Sequence, residues 1–103
     1  MAKVAEIAKI TAQPGKRKEL VEVLSKMVAQ ANTEAGTEVY IFHEAADDDV
    51  TVWTYELYAD QAARDAHGAS EAMQAIGPAV GPLLGGAPEL IRLVPAVGKG
   101  VDL

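Results

Sequence analysis

Residues 50–67 read "VTVWTYELYADQAARDAH". β-branched and aromatic side chains fill the first half of this stretch, which is the composition of a strand. Asp60 then stands where a helix N-cap belongs, and "DQAARDAHGA" predicts a short helix carrying His67. Alternation sorts the strand into two sets, Thr51, Trp53, Tyr55 and Leu57 against Val52, Thr54, Glu56 and Tyr58. Neither set is uniformly polar, so neither face suits water alone.

Working outward, "DDD" (residues 47–49) is a polar turn, and "TEVYIFHEA" (residues 37–45) is a second strand that completes a hairpin. It also carries apolar residues on both faces, with Val39 and Ile41 on one side and Tyr40 and Phe42 on the other. Toward the N-terminus, Leu20, Leu24, Met27 and Ala31 recur at the spacing of an amphipathic helix. Pro14 suits the first turn of that helix, Gly36 suits the residues after its end, and "KVAEIAKIT" (residues 3–11) precedes it as a strand. Toward the C-terminus, Ser70 is placed to cap another helical turn. Gly77-Pro78 and Gly81-Pro82 predict that this segment is broken into short turns, a connector able to bound a cavity. "APELIRLVPAV" (residues 87–97) reads as the last strand.

The order is therefore β-α-β-β-α-β, an α+β chain with a ferredoxin-like four-stranded antiparallel sheet. Both helical segments on one face leave the other face apolar and bare. A second copy packed sheet to sheet, a dimeric α+β barrel, is the simplest solution. The 103 residues predict one domain over 1–103. Half the residues are apolar, but many of those are alanine, which also favours burial in an oligomer.

A net charge of −6 argues against nucleic acid and against an anionic membrane as partner. The absence of cysteine excludes disulfides, thiolate catalysis and thiolate metal sites. No apolar run is long enough to span a membrane and "MAKVAEIAK" does not open like a signal peptide, so a cytoplasmic protein is expected.

Three stretches together resemble the antibiotic biosynthesis monooxygenase family, also called quinol monooxygenase-like proteins. They are "AEIAKITAQPGKRKELVEVL", "EAGTEVYIFHEAADD" and, above all, "YELYADQAARDAHGASEAMQAI". "ELIRLVP" is similar to the family's closing strand. The resemblance implies a homodimeric barrel that oxygenates a quinol-like or polycyclic aromatic small molecule with dioxygen, with no metal or flavin cofactor. The alternative is a non-catalytic ligand-binding or interaction domain of the same fold. The family often has tryptophan where this chain has Tyr58. Its heme-degrading branch pairs an asparagine with a histidine, where this chain has Ala8 and residues 74–77 without histidine, so heme degradation is disfavoured.

His67 is the catalytic candidate. A neutral imidazole can take a phenolic proton near neutral pH, and the competing role is a buried helix-end residue. Phe42, Trp53, Tyr55 and Tyr58 are candidate substrate contacts, since aromatics line pockets for planar ligands as readily as they fill cores. Arg92, a charge amid Ile91 and Leu93, needs an anionic ligand or a salt bridge to Glu6 or Glu56. His43 is read as a solvated or interface histidine. His43 and His67 lack the spacing that preorganises metal ligands, so no metal site is expected.

Overall fold

The computed structural model describes residues 2–103; the expected span 1–103 begins at Met1, which lies outside the described residues. The elements are β1 (Val4–Thr11), α1 (Arg17–Ala31), β2 (Thr37–Glu44), β3 (Thr51–Tyr58), α2 (Gln61–Gly68), α3 (Glu71–Val80), a 3₁₀ turn (Gly81–Leu83) and β4 (Glu89–Leu93). The sheet order is β2-β3-β1-β4 with every neighbouring pair antiparallel. This is the ferredoxin-like arrangement, with the second helical segment divided into α2 and α3.

The α1 stripe of Leu20, Leu24, Met27 and Ala31 is buried as its spacing requires. Leu20 and Leu24 pack with Ala8, Ile10, Ala12 and Val52 of the sheet to form the core. Alanines at positions 8 and 12 let the helix approach β1 closely, and the larger partners fill the space from above.

Two local expectations are corrected. Pro14 does not enter the first turn of α1. It forms a turn with Gly15, whose φ of 78° is a left-handed conformation that glycine tolerates, and the helix starts at Arg17. Gly77-Pro78 does not break α3, which runs through Pro78 to Val80. Pro78 stands near the C-terminal end, so the helix has few turns left to lose. Ser70 caps it as expected, its hydroxyl accepting from the Met73 amide at 3.2 Å. Gly36 lies after the end of α1 at Ala31, as expected. A Cβ on Gly36 would lie 2.5 Å from the Ala63 Cβ, so its lack of a side chain lets α2 sit against the start of β2. Gly36→Ala should therefore destabilise the fold by about 1–3 kcal/mol through overpacking, read as a drop in Tm; an unchanged Tm would show that α2 shifts freely.

Strand register turns each sheet face into rows. On the outer face, Ile41, Tyr55, Ile7 and Ile91 align across all four strands, flanked by His43, Trp53, Lys9 and Glu89. On the helix-facing side one row is Phe42, Thr54, Ala8 and Leu90, and the next is Tyr40, Glu56, Glu6 and Arg92. A polar row thus lies beside an apolar one under the helices, and this places the site.

Candidate functional site

Between the helix-facing side of the sheet and the helices lies a cavity of about 380 Å³. Its walls are mainly apolar, with Leu24 and Met27 from α1, Phe42 from β2, and Met73, Ile76 and Val80 from α3. It opens beside β4, where the lining residue Leu90 is 60% exposed. α3 contributes no buried residue and forms a wall along this open side.

Its polar end comes from the Tyr40–Glu56–Glu6 row together with Arg64 of α2. Glu6 and Glu56 are buried and stand directly opposite each other on β1 and β3. Arg64 Nη2 donates to Glu6 Oε1 at 3.2 Å, so Glu6 has a counterion. Glu56 has hydrogen-bond donors instead. The Tyr58 hydroxyl donates to Oε1 at 2.5 Å and the Thr54 hydroxyl to Oε2 at 2.9 Å. The Ala8 amide donates to Thr54 Oγ1 at 2.8 Å and fixes that hydroxyl's direction.

Burial pushes the Glu56 carboxyl above its ordinary pKa; the bonds from Tyr58 and Thr54 oppose the shift, and the Glu6 charge adds to it. Burial likewise raises the Tyr58 and Tyr40 phenols, helped by the neighbouring carboxylates, so both remain neutral donors. The cavity end therefore presents one ion-paired carboxylate and one carboxylate able to take up a proton.

His67 is buried near this end but does not line the cavity. Its ring lies against Tyr40, centroids 4.9 Å apart, and Tyr58, centroids 5.6 Å apart. Nδ1 donates to Glu34 Oε1 at 2.6 Å, and Nε2 is buried without a partner among the described residues. For Glu34 burial acts to raise the pKa, but bonds from Gln30, His67 and Thr37 outweigh it and hold the carboxyl below its ordinary value. The pair ties α2 to the loop after α1 and holds the helix end over Tyr58.

Phe42 lines the cavity, while Tyr58 reaches it only through Glu56. Trp53 and Tyr55 fall on the outer face, which corrects their expected place as cavity-lining aromatics; the alternation of β3 sends them away from Thr54 and Glu56. Trp53 instead has Lys9 Nζ 5.7 Å from its ring centroid. His43 shares that outer face, opposite Trp53. Arg92 is exposed, and the salt bridge expected to Glu6 or Glu56 is not made, because Arg64 takes Glu6. The acid pair was missed in the sequence. The available signal was Glu56 sharing a strand face with Val52 and Tyr58, and Glu6 sharing one with Val4, Ala8 and Ile10.

Fold and cavity define an α+β protein with an apolar site, open beside β4, whose acid–base groups sit at one end. The antibiotic biosynthesis monooxygenase family model matches residues 3–78, and the chain belongs to that family. A Caulobacter crescentus CB15 structure that carries the family's name is 28% identical, with a TM-score of 0.88 over 93% of this chain and 92% of that one. Rv0793 of Mycobacterium tuberculosis is 27% identical, with a TM-score of 0.87 over 96% of this chain and 100% of that one. PA3566 of Pseudomonas aeruginosa is 27% identical, with a TM-score of 0.85 over 94% of this chain and 97% of that one. No curated protein matches the chain. Among the described residues, no helix is long and apolar enough to cross a membrane.

Proposed function

We propose that this protein is a monooxygenase that oxidises a quinol-like or polycyclic aromatic small molecule with dioxygen, as a homodimer and without a metal or flavin. The observation that carries the reading is the apolar cavity of about 380 Å³ with the proton-accepting Glu56 at one end. Cavities of roughly 300–1,000 Å³ suit small ligands, and this one is lined for planar, apolar rings.

Anthrone illustrates the chemistry. Glu56 takes the acidic C–H proton and leaves an electron-rich anion in the cavity. The anion reduces dioxygen and forms a carbon–oxygen bond, and Glu56 returns its proton to the resulting peroxide. Glu56 then removes the remaining C–H proton as the O–O bond breaks. The carbonyl forms, and the departing hydroxide takes that proton to become water. One dioxygen is consumed, with one atom in the anthraquinone and one in water. A carboxyl raised above its ordinary value is better matched to such weak carbon and phenolic acids than an unperturbed one. The apolar walls exclude the water that would quench the anion.

In this reading His67 is a positioning residue. It packs against Tyr58, which in turn holds Glu56. The homodimer rests on the outer face, where Ile41 is 45% and Ile91 47% exposed in the row shared with Ile7 and Tyr55. A patch of this kind is what a second sheet would cover. Oxygen uptake with anthrone, against buffer alone, tests the activity. A non-catalytic domain of the same fold would bind the ring system without consuming dioxygen.

A further inference from the structure

A second, smaller recess of about 160 Å³ lies at the β4 edge of the sheet. Glu6 and Arg64 line both it and the main cavity, so the two adjoin at that pair. The remaining lining includes Gln61, Arg92 and Val94. Two of the chain's three arginines therefore converge on one small recess in a protein of net charge −6.

Within the recess lining the two guanidiniums face one carboxylate, Glu6. Arg64 is matched by Glu6, and its Nε is buried with no hydrogen-bond partner. Arg92 ends the Tyr40–Glu56–Glu6–Arg92 row, directly across from Glu6, and makes no ion pair among the described residues. Gly68 leaves room for the Arg64 guanidinium, since a Cβ there would lie 2.8 Å from Nη1. The recess thus offers the exposed, unpaired Arg92 guanidinium, with the Glu6-paired Arg64 beside it, next to an aromatic-sized cavity. Guanidinium groups match carboxylates in both charge and geometry.

We propose that the substrate of this site is an aromatic carboxylate, its rings in the main cavity and its carboxylate between Arg64 and Arg92. The proposal rests on the aromatic reading above and narrows it to anionic members of that class. It also sets an orientation, in which the carboxylate lies on the β4 side and the ring carbon to be oxidised faces Glu56.

The test uses binding alone, so it is separate from whether the protein consumes dioxygen. 2-Naphthoate and its neutral analogue 2-naphthamide are titrated calorimetrically into the full-length protein. Wild type should bind the naphthoate about tenfold to a hundredfold more tightly, the range of a charged hydrogen bond. Arg92→Gln should bring the naphthoate close to the amide, and Arg92→Lys should keep part of the preference. Arg92 is exposed, so neither change should disturb the fold. Equal affinities in wild type, no binding of the naphthoate, or a preference untouched by Arg92→Gln would overturn the proposal. Tight, selective binding without oxygen uptake would support it and count only against the oxygenase reading.

Discussion

Glu56→Gln should lower anthrone-dependent oxygen uptake by about 10²–10⁴-fold, the usual value of a positioned general base, while leaving the fold intact. The amide can still accept from the Tyr58 hydroxyl, and Thr54 Oγ1 can turn from donor to acceptor. The same change should stabilise the protein at neutral pH. Burial raises the folded-state pKa of Glu56, so the folded protein holds that proton to a higher pH than the unfolded chain. Ionisation therefore costs stability as pH rises from the ordinary carboxylate range through the raised value, and the cost is absent below both. The Tm of Glu56→Gln should exceed that of wild type at pH 7, and the two should converge in acid. The wild-type rate should rise with pH through the raised Glu56 value. An equally active Glu56→Gln protein would remove the base, and a lower neutral-pH Tm would contradict the burial argument.

Tyr55→Asp should convert a dimer to monomers. Tyr55 lies between Ile41 and Ile7 in the apolar row of the outer face. A carboxylate there would be buried without a counterion at a sheet-to-sheet contact. An uncompensated buried charge costs about 3–5 kcal/mol, which weakens association by more than two orders of magnitude. Sedimentation at micromolar concentration should give twice the chain mass for wild type and a single chain mass for the variant. A monomeric wild type would remove the role assigned to this face; a variant that remained dimeric would place the contact elsewhere.

The element order was legible because the signals that set it are local. The α1 stripe, the alternation of residues 51–58 and the Asp60 and Ser70 caps each act locally, and local signals survive in the chain. Of the two Gly-Pro steps only Gly81-Pro82 ends α3; Gly77-Pro78 does not break it, because Pro78 stands in its last turn. The site was harder to read. Alternation separated Trp53 and Tyr55 from Glu56 and Tyr58, but it could not say which set faced the helices. That depends on α1 and α3 packing over Ala8 and Val52, a tertiary fact. Register then matters as much as parity. Glu6 and Glu56 become neighbours only because β1 and β3 pair with residue 6 opposite residue 56. Arg92 lost its expected partner to Arg64, a residue from a helix more than fifty positions away from Glu6 and invisible to a strand-by-strand reading.

The most direct test of the oxygenase reading is oxygen consumption by the purified protein with anthrone under ¹⁸O₂, followed by mass analysis of the product. The account predicts uptake well above buffer, one dioxygen per anthrone, one ¹⁸O atom in the anthraquinone, and loss of the excess in Glu56→Gln. Uptake no faster than in buffer, or anthraquinone without ¹⁸O, would contradict it.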